Sequence, residues 1–150
     1  MNILFVCTAN ISRSFMAEKL MQHEIDRRRL KGISVKSAGV FASPGAPADP
    51  VMIAYLVDHQ INASDHLSRQ LQEADIVWAD HILVMEKAHA EEIIRTWPTA
   101  EAKVDLLGRY VSMDQTSDDV IDPFGRSPYH YRLSQSQITL GVKHFIDTKL

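Results

Sequence analysis

Apolar residues recur along the chain in two alternating rhythms. Ile3-Leu4-Phe5-Val6 is a continuous apolar run, the pattern of a strand buried on both faces. Over residues 14–29 the spacing becomes helical: Ala17, Leu20, Met21 and Ile25 share one face, with Glu18, Lys19, Gln22 and Asp26 mostly elsewhere. Gly32 is the natural stop. Residues 33–38 predict a second strand, and residues 39–47, rich in glycine, proline and alanine, a loop. Asp49 before Pro50 opens another helix, the aspartate as cap and the proline in the first turn, running to about His59. A short helix is expected from Ser68. Ile82-Leu83-Val84-Met85 is a third buried strand, followed by a helix over residues 86–97 that Pro98 ends. Residues 103–107 form a weaker fourth strand. Residues 108–133 are polar and hold a proline–glycine cluster, so a loop is expected. A last helix over residues 134–149 carries Ile138, Val142, Phe145 and Ile146 on one face.

Strands that alternate with helices imply an α/β fold with a parallel sheet covered on both faces. Right-handed crossovers make it an open, doubly wound sheet. With no repeat, low-complexity tract or dividing linker, the 150 residues read as a single domain. Ligands of such sheets sit at the carboxyl ends of the strands, near the switch in strand order. Cys7 ends the first strand, so attention falls there.

Cys7-Thr8-Ala9-Asn10-Ile11-Ser12-Arg13-Ser14 joins that strand to the first helix. A short turn of this kind points successive backbone N–H groups into a concavity, and the helix start adds free N–H groups and a positive pole. Such a cradle, made by residues 8–14, suits a tetrahedral oxyanion. Arg13 can close on the anion with two parallel hydrogen bonds, a geometry lysine lacks. The same field favours thiolate at Cys7, which is the nucleophilic form. Ser14 is placed to hydrogen-bond the sulfur. Alone, a cysteine after an apolar run reads as a buried, inert side chain. Arginine six residues on, serine next and the strand-turn-helix setting together favour chemistry. The glycine-lysine loop of nucleotide hydrolysis is absent.

These residues carry a resemblance. The opening ILFVCTANISRS resembles the phosphate loop of the low-molecular-weight protein tyrosine phosphatases. Ser37-Ala38-Gly39, Gly45-Ala46-Pro47-Ala48-Asp49, Ser68-Arg69-Gln70-Leu71, Asp80-His81-Ile82-Leu83-Val84-Met85 and Ile121-Asp122-Pro123-Phe124-Gly125 follow in that family's order. The resemblance implies a flavodoxin-like sheet of four parallel strands with helices on both faces. It implies hydrolysis of phosphotyrosine through a phosphocysteine intermediate at Cys7, without metal or other cofactor. Asp122 would be the acid that protonates the leaving group and then helps activate water. Asn10, Ser37 and His66 match positions that hold the phosphate loop rigid. Independently of the family, phenolate departure benefits from a positioned acid. Of the acidic residues in this stretch, only Asp122 is followed by a proline that stiffens the chain; Asp114, Asp118 and Asp119 read as a solvated turn.

Three residues depart from the family pattern. Ala9 stands where glycine is usual, and would cost roughly 1 kcal/mol if the position needs positive φ. Ser12 stands where many members have a second cysteine that protects the first as a disulfide. Without it, oxidation of Cys7 runs through sulfenic acid with no internal thiol to trap it. Phe15 replaces the usual proline and either packs inward or lines the site. The rim candidates for substrate contact are Ile11, Phe41 and Phe124, with a core position the other reading of Phe41. Tyr129 and Tyr131 are rim residues or phosphorylation sites.

Arsenate reductases on this fold relay electrons through further cysteines, which one cysteine does not allow. Relatives that hydrolyse phosphoarginine carry threonine where this chain has Ile11, and the bulkier isoleucine favours an aromatic leaving group. A non-catalytic phosphate-binding domain is less consistent with Cys7, Arg13 and Asp122 occurring together.

Composition narrows the setting. The net charge of −3 argues against nucleic acid as the main partner, and Arg27-Arg28-Arg29 with Lys31 reads as a solvated helix end. A single cysteine suits a reducing compartment. The opening apolar run is too short for a signal peptide, and no stretch nears the roughly 20 apolar residues of a membrane helix. The expectation is a cytoplasmic protein without membrane insertion. Its partner would be a tyrosine-phosphorylated protein, with a tyrosine kinase among the candidates. None of the seven histidines has the spacing of a helical metal pair.

Overall fold

The computed structural model describes residues 1–112 and 119–150, so Asp114 and Asp118 lie outside the described residues. Four parallel strands form one sheet: β1 (Asn2–Cys7), β2 (Ser34–Gly39), β3 (His81–Val84) and β4 (Val104–Leu106), in the spatial order β2-β1-β3-β4. The helices are α1 (Arg13–Arg28), α2 (Pro50–Asp58), α3 (Glu73–Trp78), α4 (Lys87–Thr96) and α5 (Pro128–Lys149).

The apolar run of β1 is buried on both sides because the sheet is covered on both sides. Ile3 and Phe5 join a core with Met16, Met21, Phe145 and Ile146 of α1 and α5. Leu4 and Val6, pointing the other way, join Ile76 of α3, Ile93 of α4, Ile82 and Val84. Since β1 has β2 on one edge and β3 on the other, the strand order switches beside it. Cys7 therefore ends the strand where such sheets bind ligands.

Two helices begin elsewhere than the pattern suggests. The short helix expected from Ser68 starts only at Glu73, because Ser68 O accepts from Gly45 N and Arg69 O from Gly39 N. Those carbonyls are taken by Gly45 and by the end of β2, so they cannot accept the i+4 N–H bonds that a helix from Ser68 would need. The last helix begins at Pro128, not near Ser134. Proline suits a first turn, but Tyr129, Arg132 and their neighbours are largely exposed there, so only Tyr131 signals a buried face. The first helix ends with Arg29 in the left-handed region, its N–H on Asp26 O and that of Leu30 on Ile25 O, before Gly32 is reached. Its basic end is ion-paired: Arg27 and Arg28 both bind Glu24, and Arg28 also binds Asp147 of α5. Among the described residues, no helix is long and apolar enough to cross a membrane.

Candidate active site

Between β1 and α1 the chain turns around a small concavity, and its carbonyls decide which way the amides face. Cys7 O accepts from Val40 N, Thr8 O from Phe41 N and Ile11 O from Asp49 N; Asn10 O is bonded to His66 Nε2 at 2.7 Å. With these oxygens tied outward, no acceptor among the described residues reaches the N–H groups of residues 8–12. The arrangement is a nest of donors at the start of α1, suited to an oxyanion.

Asn10 makes the turn possible. Its φ of 58° is left-handed, a conformation asparagine tolerates better than most residues. Its fully buried side chain uses every group: Oδ1 accepts from Arg69 N at 3.0 Å, and Nδ2 donates to Ser14 Oγ and Ser37 Oγ, each at 2.9 Å. The Ser37 hydroxyl in turn donates to Glu18. Ala9 is not among the positive-φ residues, so alanine there carries no backbone strain.

Those bonds also orient Ser14. Since its oxygen accepts from Asn10, its hydroxyl proton is free for Cys7 Sγ, 3.0 Å away.

Arg13, 2 % exposed, opens α1 with its guanidinium held from behind: Nη1 donates to Val120 O at 2.9 Å and Nη2 pairs with Glu86 Oε2 at 2.7 Å. Asp122 Oδ2 is 3.8 Å from the same Nη2, and Asp122 Oδ1 accepts from Phe124 N. A cavity of about 150 Å³ is lined by Cys7, Thr8, Ala9, Ile11, Ser12, Arg13, Asp122 and Phe124. Asn10, Ser14, Ser37 and His66 support it from outside. Phe41 is exposed and pinned by its backbone beside Thr8, neither core nor wall. Phe15 is fully buried, its ring centroid 4.5 Å from that of His66.

Several neighbours are not evident in the chain order. Asp49, expected only as a helix cap, accepts from Val51 N and also from Ser12 Oγ and Tyr131 Oη. Burial, then this bond, pushes the Tyr131 phenol above its usual range. Tyr131 is thus a buried brace, whereas Tyr129 is exposed. Asp119 accepts from Lys87 N at the start of α4.

Gly39 is required for a steric reason. A Cβ there would lie 2.5 Å from Thr8 O and 3.0 Å from Ala9 C and Asn10 N, all backbone atoms that cannot swing away. Gly39→Ala is expected to displace the loop, weakening inorganic phosphate binding at least about tenfold and costing about 1–3 kcal/mol in stability. Isothermal titration and urea unfolding check both.

His89 is the other unforeseen residue. Its ring is 4 % exposed; Nδ1 accepts from Glu86 N at 3.1 Å, so Nε2 carries the proton and donates to Thr8 Oγ1 at 2.9 Å. Its only advance signal is the spacing from Glu86, helix cap to third helical position. Burial, and next the Arg13 charge, push its pKa down to about 4, although Glu86, Asp119 and Asp122 pull it up. The folded state thus disfavours protonation: the neutral ring contributes stability above the ordinary value of 6.5, lost as pH falls toward 4. Between pH 7 and pH 5 the expected loss is on the order of 2 kcal/mol. Urea unfolding at both pH values checks it, since His89→Gln should remove this part of the pH dependence.

Sequence and structure comparisons agree with this geometry. Residues 2–149 match the family described as low molecular weight phosphotyrosine protein phosphatase. The chain is 39% identical over 136 residues to a protein-arginine-phosphatase of Geobacillus stearothermophilus, covering 91% of this chain and 87% of the relative. It is 36% identical over 144 residues to the probable low molecular weight protein-tyrosine-phosphatase EpsP of Ralstonia nicotianae, covering 96% and 92%. A crystal structure of the low molecular weight protein tyrosine phosphatase from T. tengcongensis superposes with a TM-score of 0.90 at 31% identity, covering 99% of each chain.

Proposed function

Because the chain belongs to the low molecular weight phosphotyrosine protein phosphatase family, we propose that Cys7, Arg13 and Asp122 carry its phosphatase reaction and that its substrate is phosphotyrosine in proteins. The observation that carries the reading is one cavity lined by all three, with Ser14 Oγ 3.0 Å from Cys7 Sγ.

The loop N–H groups and the free edge of Arg13 bind the phosphoryl oxygens, where charge must be held as the transfer proceeds. The Cys7 thiolate attacks phosphorus, an S–P bond forms and the P–O bond to the leaving group breaks. Asp122 gives its proton to the departing oxygen. Water then attacks the phosphocysteine, Asp122 takes the water's proton, and the S–P bond breaks to return the thiolate and release phosphate. The Ser14 hydroxyl stabilises sulfur as it leaves. Val120 and Glu86 hold Arg13 from behind, so little ordering remains when substrate binds.

Ile11 and Phe124 form apolar walls that suit a phenyl ring. The second reading is phosphoarginine, favoured by the 39% identity to a protein-arginine-phosphatase. Steady-state kinetics on one peptide carrying either phosphotyrosine or phosphoarginine separates them. The phosphotyrosine form is expected to have kcat/KM at least about tenfold higher, and Ile11→Thr should narrow that gap. A clear preference for phosphoarginine overturns the assignment. On the phosphotyrosine reading the natural partner is a tyrosine-phosphorylated protein, a tyrosine kinase among the candidates. A cytoplasmic, reducing setting keeps the Cys7 sulfur reduced.

A further inference from the structure

We propose that His89 is a positioning residue of this site, holding the phosphate loop by its first residue, Thr8, from the opening turn of α4. The inference rests on the phosphatase reading above. Three features of the geometry carry it.

Both ring nitrogens are committed. The Glu86 N–H occupies Nδ1, which leaves the Nε2 proton for Thr8 Oγ1 and no freedom in tautomer or ring orientation. Thr8 is exposed, and among the described residues two bonds hold it: its carbonyl accepts from Phe41 N and its hydroxyl from His89. Finally, the same turn fixes the far end of the loop. Glu86 Oε2, 3.7 Å from His89 Nε2, is 2.7 Å from Arg13 Nη2. The opening turn of α4 therefore sets where both ends of the oxyanion grip stand, Thr8 beside the nucleophile and Arg13 at the head of α1.

A neutral donor in this position shapes the loop without adding charge to it. Its removal should loosen ground state and transition state alike, which raises KM and leaves kcat nearly unchanged. A ring that only capped α4 would instead affect stability.

Two substitutions separate those roles. The short amide of His89→Asn can still accept from Glu86 N but does not reach Thr8, whereas the longer His89→Gln can still donate to Thr8. Thr8→Val removes the other partner. Inorganic phosphate is titrated against each protein by calorimetry, beside steady-state hydrolysis of p-nitrophenyl phosphate and urea unfolding. His89→Asn and Thr8→Val should each weaken phosphate binding and raise KM by about five- to tenfold, with kcat within about twofold. The double variant should lose no more than either single one, and His89→Gln should recover most of the affinity. Native-like phosphate affinity in folded His89→Asn, or losses that simply add in the double variant, overturns the inference. Failure of the native protein itself to bind phosphate or turn over would instead strike the phosphatase reading, a distinguishable result.

Discussion

Cys7→Ser is expected to leave a folded protein with steady-state turnover of p-nitrophenyl phosphate reduced at least about 10⁴-fold, with a chelator present throughout. Serine nearly preserves the shape, and Asn10 and Ser14 remain to hold it, so binding of phosphate should survive. On the proposed mechanism, what is lost is the nucleophile. A hydroxyl does not ionise in a donor nest as a thiol does, and an alkoxide is a poor leaving group in the hydrolytic step. Unfolding in urea should change by no more than about 1 kcal/mol, because Cys7 lies at a cavity wall as well as against the core. Turnover that survives the substitution sinks the covalent mechanism. Loss of both turnover and phosphate binding would instead indicate a displaced loop.

Asp122→Ala is the second large effect, and its size should depend on the leaving group. With phenyl phosphate or phosphotyrosine, whose phenolates leave reluctantly, kcat is expected to fall about 10²–10³-fold. With p-nitrophenyl phosphate, whose leaving group needs little protonation, the fall should be smaller. Stability should barely move: the side chain is 55% exposed, its nearest cation is 3.8 Å away, and its hydrogen bond is to its own loop. A long pair whose carboxylate is open to water is worth under about 1 kcal/mol. An equal loss across leaving groups would assign Asp122 to substrate binding and not to proton transfer.

The departures at Ala9 and Phe15 are resolved by conformation and packing. The left-handed turn falls on Asn10, one residue after Ala9, so the alanine does not meet the strain that would make glycine necessary. Phe15 fills the core behind the loop, against His66, and leaves the cavity wall to Ile11 and Phe124. Ser12, lacking the chemistry of a second cysteine, has a structural use: it donates to Asp49, which also receives Tyr131 and caps α2. The loop is thereby joined to α2 and α5.

Much of the fold was legible because its signals are local. Apolar runs marked β1 and β3, the 3.6-residue rhythm marked α1, and Asp49-Pro50 marked the start of α2. The start of α5 carries no such local signal: its first turns are largely exposed, so they offer little apolar face to a periodic pattern. The short helix at Glu73 begins late for a different reason, since the carbonyls of Ser68 and Arg69 accept from Gly45 and Gly39, more than twenty residues away in sequence.

By itself the sequence determined the alternating α/β plan and the contiguous loop from Cys7 to Ser14, because strand, turn and helix preferences act between near neighbours. Only the tertiary structure decided which distant groups close around that loop. Gly39 must be bare because β2 brings it against Thr8, and His89 meets Thr8 across 81 positions of chain because β1 and β3 are adjacent. Glu86 and Val120 direct Arg13, and Asp122 overlooks the cavity, for the same reason. Strand order and packing set these meetings, and neither is written in the spacing of residues along one element.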